Sequence, residues 1–80
     1  MTVKDYNEMV NADMAFHLAN QAHKVNKYVQ LNWVTDVELA TEYDKLRGMV
    51  TMCIAMGHIF TIKQDETGDI YIVDREGKRV

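Results

Sequence analysis

The sequence predicts an α+β domain, in which an antiparallel αα-hairpin is followed by a two-stranded β-hairpin that packs on it. Apolar residues recur at three- and four-residue steps over most of the first 58 residues, which is the spacing of a helical face. The connection 30–34 is short enough to make the two helices antiparallel neighbours. After Gly57 the sequence changes to two short β-rich runs. Eighty residues make one domain, residues 1–80, with a core of only marginal size.

The first helix is predicted over about residues 3–29 because its apolar stripe runs without a break. The stripe consists of Val3, Tyr6, Val10, Met14, Leu18, Ala22, Val25 and Val29. Thr2, with Asp5 three residues later, offers an N-cap. A helix of this length is on the order of 40 Å long, against ~31 Å for the second helix. The first helix therefore either overhangs its partner or breaks near Asn11, which could cap a new helix. We predict one helix, with Asn11 as the place for a kink.

The second helix is predicted over about residues 36–56, and both of its ends are marked. Thr35 and Glu38 form a T-x-x-E capping box, in which each side chain accepts from the other residue's backbone N–H. Val34 and Leu39 stand at the two positions of a hydrophobic staple. Gly57 tolerates the left-handed conformation that ends many helices. The start and the end of this helix are therefore both specified locally.

The second half of this helix, residues 49–56, is apolar almost all round and needs cover on several sides. Met49, Met52 and Met56 lie on adjoining faces, and we interpret them as core; the alternative is an adaptable binding groove. Cys53 is the only cysteine, so no intrachain disulfide can form and the chain fits a reducing cytoplasm. Its apolar neighbourhood predicts a buried, unreactive thiol.

The β-hairpin is predicted from two runs, about residues 59–64 and 69–74. A four-residue loop would pair Gln64 with Asp69 and would split the large apolar side chains between the two faces. A three-residue loop with Gly68 in a G1 bulge pairs Gln64 with Ile70. We predict this second register because it gathers four large side chains on one face, namely Phe60, Ile62, Ile70 and Ile72. Residues 75–80 are interpreted as a turn and a charged tail, with a stub of a third strand as the alternative.

No pattern for catalysis or for metal binding is found. The chain has no serine, and its four glycines are too scattered for a phosphate-binding loop. Glu38 and Glu42 are four residues apart, which we interpret as a solvated helix face rather than an acid–base pair. His17 and His23 are six residues apart and do not share a helix face, and His58 could lie near Cys53, but one Cys and one His do not make a metal site. We therefore predict a protein that is not an enzyme and that has no cofactor and no bound metal.

Composition also bears on the class of partner. The net charge of −3 and the pI of about 5.5 argue against nucleic acid, which needs a basic face. No apolar run reaches the ~20 residues of a membrane-spanning helix, so we predict no membrane insertion and a cytoplasmic location. The open edges of a lone hairpin and the apolar second helix instead indicate a protein partner or a second copy.

Four residues are our candidates for binding that partner, Trp33, Tyr71, Val73 and Phe16. Trp33 lies in the connection between the helices, where it either covers the end of the core, the interpretation we favour, or is an exposed anchor. Phe16 falls off the apolar stripe of the first helix and marks a second face with Ala12. Tyr71 and Val73 lie on the face of the hairpin opposite to Ile70 and Ile72.

In size and style the chain resembles the small early proteins of tailed bacteriophages. It is short, acidic, free of proline and serine, and without an enzymatic motif, and it begins with MTVKDYNEM and ends with GDIYIVDREGKRV. The resemblance implies a protein that binds one host bacterial protein and blocks it, in the host cytoplasm. The alternatives are a structural or regulatory homo-oligomer, most simply a homodimer, and a small-ligand or nucleotide-binding module with a pocket in the methionine-rich end of the core.

Overall fold

The computed structural model describes residues 2–80 and confirms the predicted α+β architecture. Its elements are α1 (Val3–Gln30), α2 (Asp36–Ala55), β1 (Thr61–Gln64) and β2 (Ile70–Val73). The two helices pack against each other, and the β-hairpin packs mainly on α1, through β2. The strands are shorter than predicted, since Ile59 and Phe60 precede β1 rather than belonging to it.

Both helices begin with the predicted capping boxes. The Thr35 hydroxyl accepts from the Glu38 backbone N–H at 3.1 Å, and the Glu38 carboxylate accepts from the Thr35 N–H at 3.3 Å. Thr2 and Asp5 make the same two bonds at the start of α1. After α2, Gly57 takes the left-handed conformation with φ of 89°. Each box pairs backbone donors that a helix start leaves unpaired, so both starts are fixed by local bonds.

α1 continues through Asn11 without a break and overhangs α2. The Asn11 side-chain oxygen is 3.1 Å from Nδ1 of His58, which follows the end of α2. Residues 3–10 of α1 therefore extend past α2 by ~12 Å at the usual rise per residue. The buried part of the α1 stripe is confined to Leu18, Ala22 and Val25. The overhang accounts for the long shape of the molecule, 48 × 23 × 17 Å.

The core lies where both helices meet the hairpin. Its fully buried side chains are Leu18, Leu46, Phe60 and Ile72. Ile62 and Ile70 are partly buried and pack against this cluster, which confirms the predicted apolar face of the hairpin. The core thus takes a side chain from every element and from the residue before β1.

The hairpin adopts the predicted register. Gln64 pairs with Ile70 and Ile62 pairs with Ile72 in an antiparallel ladder. Gly68 has a φ of 92°, and its N–H donates to the Asp65 carbonyl at 3.1 Å. The chain then turns once more, and an isolated bridge between Val73 and Arg79 brings the tail beside β2. The alternative of a third-strand stub is therefore the one observed.

Candidate interaction surface

The outer edge of β2 is covered by two parts of the chain, α1 and the tail. The Asn26 side chain donates to the Ile70 carbonyl and accepts from the Ile70 N–H, both at 2.8 Å. The Val80 N–H donates to the Ile72 carbonyl at 3.0 Å. Asp74, just after β2, donates its N–H to the Lys78 carbonyl at 2.8 Å. Asn26 and the tail therefore occupy the place that a further strand would need on this side.

The outer edge of β1 is open. Because both backbone groups of Ile70 bond to Asn26, the Gln64–Ile70 pair is a non-hydrogen-bonded pair of the ladder. Pairs alternate along an antiparallel ladder, so the backbone groups of Ile62 and Gln64 point away from β2. Among residues 2–80 no backbone group outside the ladder bonds to Ile62 or Gln64. β1 thus presents a short row of free donors and acceptors.

Two grooves adjoin β1 and α2. One, of about 580 Å³, lies toward the start of α2 and is lined by Asp36, Ala40 and Tyr43 together with strand residues 62–64, and it continues under the hairpin to α1 and Ile70. The other, of about 320 Å³, lies toward the end of α2 and is lined by Arg47 and Ile54 with residues 60–62. The helix residues follow three- and four-residue steps, so they form one stripe along α2. We call β1 with this stripe (Asp36, Ala40, Tyr43, Arg47 and Ile54) the edge surface.

The charges of the edge surface are Asp36, Arg47 and Lys63. Asp36 lies in the first turn of α2, where the helix dipole favours a carboxylate. Within the part of the chain that the structure describes, neither Arg47 nor Lys63 has an ion-pair partner. The edge surface therefore presents two cations whose charge is not matched by a neighbouring carboxylate.

Trp33 is exposed, which overturns the interpretation that it covers the end of the core. Its side chain has 73% of its surface in solvent. Val29 and Asp36, which flank it in sequence, both line the larger groove. Trp33 itself lines neither groove. Its exposure agrees with the alternative interpretation, in which it is an exposed anchor.

The other candidates do not join Trp33. Phe16 is also exposed, at 61%, but it lies on the outer side of α1 and lines a shallow hollow of about 510 Å³ with Met9 and Ala12. It is fourteen residues, or ~21 Å of helix, before the end of α1. The second face that we predicted for α1 is therefore present, but it is separate from Trp33.

Tyr71 and Val73 offer less surface than predicted. Val73 is only 8% exposed, because its backbone pairs with both Thr61 and Arg79 and the returning tail covers it. The Arg79 guanidinium lies 4.5 Å from the centre of the Tyr71 ring and partly covers it. Val73 is accordingly too buried to anchor a partner, and we leave it out of the proposed surface.

A second exposed apolar region lies at the other end of the helical hairpin. The overhang of α1 exposes Val3 and Tyr6, and Val3 lines a groove of about 870 Å³ with Met56. Met52 and Met56 are 67% and 62% exposed, so the prediction that they belong to the core is wrong; only Met49 packs against it. We call Val3, Tyr6 and Met56 the overhang surface.

The comparisons with known proteins add no relatives. No protein-family model, curated protein or solved structure matches the chain. The resemblance to early phage proteins therefore stays a prediction. Neither helix within residues 2–80 is both long and apolar enough to cross a membrane. The function has to be argued from the surfaces just described.

Glu42 is the residue whose environment differs most from the prediction. We expected a solvated carboxylate, but it is 6% exposed and lies in the interface of the helices. Gln21 donates to it at 3.1 Å, and the Lys24 and Lys45 ammonium groups lie 3.0 and 3.1 Å away. These hydrogen bonds, that of Gln21 first, lower the pKa of Glu42 to about 2. The bond to Glu42 also raises the pKa of Lys24.

Glu42 is a structural group rather than a catalytic one. Its oxygens accept from three side chains, and its low pKa keeps it ionised and a poor base at neutral pH. Cys53 is buried as predicted, and burial raises the pKa of its thiol, which disfavours the reactive thiolate. No cluster of metal-ligating side chains occurs within residues 2–80.

Proposed function

We propose that this chain is a small non-catalytic interaction protein that binds another protein and blocks it stoichiometrically. The observation that supports the proposal is the edge surface, where an open strand edge adjoins two apolar grooves. The exposed Trp33 adds to it, because tryptophan is enriched among the residues that dominate protein interfaces. That the target is a host bacterial protein rests on the resemblance to phage early proteins.

Affinity capture tests this proposal. The tagged chain is incubated with bacterial lysate, and the expected result is one protein retained in a 1:1 ratio, whose own activity falls when the chain is added. Trp33→Ala should abolish retention. Phe16→Ala is the matched control, because Phe16 is a similarly exposed aromatic residue on the separate outer side of α1.

Two outcomes would contradict the proposal. If both variants retain the captured protein as the unmodified chain does, the proposed role of Trp33 as an anchor is wrong. If the unmodified chain retains no protein in a stoichiometric amount, a binding function toward a host protein is not supported. Both variants change an exposed side chain, so their thermal midpoints should stay close to that of the unmodified chain.

A homo-oligomer is the second candidate, and the overhang surface favours it. Val3 and Tyr6 continue the buried stripe of α1 past the end of α2, yet they are exposed. Two overhangs packed side by side would bury both stripes in a symmetric contact. Sedimentation should then give a dimer that Tyr6→Glu dissociates, while a concentration-independent monomer would exclude it. The ligand-binding alternative is testable by a thermal-shift screen with metabolites and nucleotides, in which a ligand at 100 times its dissociation constant adds ~2.7 kcal/mol.

A further inference from the structure

We propose that the edge surface binds one extended segment of its partner as an added β-strand, which pairs with β1 and lies over α2. The segment carries apolar side chains at alternate positions, with an acidic residue among them. This inference rests on the proposed function and deepens it, because it states which part of the partner is recognised and by what chemistry. Strand addition to an exposed sheet edge is a common mode of peptide recognition.

The backbone of β1 supplies the hydrogen bonds for this mode. Ile62 and Gln64 direct their N–H and C=O groups outward, as the ladder register and the bonds of Ile70 to Asn26 require. β2 cannot take the same role because Asn26 and the tail already occupy its outer edge. The sheet can therefore grow in one direction only, from β1.

The position beside β1 is also covered on one face by α2. Neighbouring strands lie about 4.8 Å apart, and packed helices lie about 8–10 Å apart. β2 packs on α1, and packed helices are about two strand spacings apart. α2 therefore lies beneath the position that is two strand spacings from β2, which is the place of the added strand. The two grooves adjoin this position, and the larger one continues under the hairpin to α1. Alternate side chains of an added strand would point into them.

A second copy of this chain does not fit the same place. Two β1 strands paired about a two-fold axis would bring both α2 helices beneath the paired edges. With the spacings above, the helix axes would lie about 5 Å apart, which is closer than helices can pack. An isolated extended segment brings no helix and avoids this clash. The occupant of the edge is therefore a strand from another protein.

The charges specify the segment further. Arg47 lies in the stripe beneath the proposed strand, and Lys63 lies on β1 itself. Neither has an ion-pair partner within the described chain. Lys63 pairs with Tyr71 and so lies on the face of β1 that is turned away from α2. A carboxylate at a position of the added strand that faces α2 therefore meets Arg47, and one on the other face meets Lys63. The apolar residues lining the grooves, among them Tyr43, Ile54 and Ile62, call for apolar side chains on either side of that carboxylate.

Peptide selection on the immobilised full chain tests the inference. The probe is a display library of random peptides of about ten residues, the upper length of ordinary strands. Selected peptides should show apolar residues at every second position, with Asp or Glu in place of the one that faces Arg47. Arg47→Glu should change this preference from acidic to basic residues. Binding should slow hydrogen exchange at the Ile62 and Gln64 amides, whose N–H groups are free in the unbound chain.

Gln64→Pro and Gln64→Ala form the deciding pair of variants. Both remove the exposed Gln64 side chain and its bond to the Gly68 carbonyl, but only proline removes the outward N–H and blocks the edge. Gln64→Pro should weaken the selected peptides about tenfold or more, whereas Gln64→Ala should bind them as the unmodified chain does. Circular dichroism and slow exchange at Tyr71 establish that both variants are folded.

The inference is overturned if no peptide is selected, if selected peptides have helical three- and four-residue spacing, or if Gln64→Pro binds them unchanged. It is also overturned if light scattering finds a dimer that Gln64→Pro dissociates, because the edge would then belong to a second copy. A host protein that is captured equally by Gln64→Pro would contradict strand addition while leaving the proposed function intact. Capture of no protein at all would contradict the proposed function instead.

Discussion

The two edges of one small hairpin differ in a way that separates stability from recognition. At β2, Asn26 takes both backbone groups of Ile70, and the returning tail takes the Ile72 carbonyl and the Asp74 N–H. At β1, four residues long, the outward groups have no such cover in the described chain. Natural proteins protect strand edges because an open edge recruits other strands. The binding role that we propose for β1 uses the edge that α1 and the tail leave open.

The burial of apolar side chains also differs between the closed edge and the open edge. Ile72 on β2 is fully buried, whereas Ile54, on the α2 stripe beside the open edge, is 48% exposed. Apolar surface on the closed side is already removed from water and contributes to folding. Apolar surface on the open side can contribute only when a partner covers it. Substitutions should therefore change stability on one side and binding on the other.

The largest expected effect tests this division with one residue type. Ile72→Ala should lower the free energy of unfolding by about 2–5 kcal/mol, because it leaves a cavity in the core. Ile54→Ala should change it by less than about 0.5 kcal/mol, because the side chain has few contacts to lose. Urea denaturation followed by circular dichroism measures both. Equal losses would mean that the two sides do not differ as described.

Opening the closed edge is the next test. Asn26→Ala removes both 2.8 Å bonds to Ile70 and should lower the free energy of unfolding by about 1–3 kcal/mol. Hydrogen exchange at the Ile70 amide should become faster, since its N–H would face solvent. Asn20→Ala, at an exposed asparagine of the same helix, is the control and should be near neutral. Unchanged exchange at Ile70 would show that Asn26 does not close this edge.

An effect confined to acidic solution tests the helix interface beneath the sheet. Hydrogen bonds from Gln21, Lys24 and Lys45 lower the pKa of Glu42 from 4.5 to about 2 in the folded chain. A depressed carboxyl pKa adds stability above pH 4.5, and this stability is lost as the pH falls toward 2. The unmodified chain should therefore lose more stability between pH 4.5 and 2 than Glu42→Gln does.

Thermal midpoints measured at several pH values give this comparison. Bonds from Thr67 also lower the pKa of Asp65, so the unmodified chain has a second contribution of the same sign. The difference between Glu42→Gln and the unmodified chain isolates Glu42. Glu8→Gln, at an exposed carboxyl on the overhang, is the control. A pH profile of Glu42→Gln parallel to that of the unmodified chain would contradict the assignment.

Features that depend on neighbours in sequence could be predicted. The capping box of Thr35 and Glu38 uses residues three apart, and the hairpin register follows from Gly68 and the alternation around it. The α+β fold class followed from the same periodicities. The length mismatch of the helices also left an overhang as one of two alternatives, and it is the alternative observed.

Features that depend on contacts between residues far apart in sequence could not be predicted. Glu42 lies four residues after Glu38, so the sequence placed both on a solvated helix face. Glu42 is buried because Gln21 and Lys24, from the other helix, neutralise and bond it. These contacts between the helices could be identified only once the relative position of the two helices was known.

The candidate site was foreseen only in part, for the same reason. The sequence predicted open hairpin edges, but the contact that closes one of them joins Asn26 and Ile70, which are 44 residues apart. Trp33 and Met52 were expected in the core because they are large apolar residues. A single helical hairpin with two short strands has too few elements to cover them. Exposure was set by the number of elements rather than by residue type.

The smallest expected effects come from two glycines, one in the hairpin turn and one on α2. Gly68 has a φ of +92°, a conformation that costs an L-residue about 1–2 kcal/mol, so Gly68→Ala should destabilise the chain by that amount. Gly48 is an exposed helical residue, and an added Cβ there meets no atom within 4 Å. Gly48→Ala should therefore stabilise the chain by about 0.5–1 kcal/mol.

Gly68→Ala and Gly48→Ala should change the stability in opposite directions, and together they also test the open edge of β1. Gly48 lies on α2, whose outer surface we propose to be completed by a partner, and its substitution should raise the thermal midpoint without changing peptide selection. Gly68→Ala strains the turn that sets the register of β1, so it should lower the midpoint and also weaken strand addition. If Gly68→Ala binds the selected peptides as tightly as Gly48→Ala does, the register of β1 is not what a partner recognises.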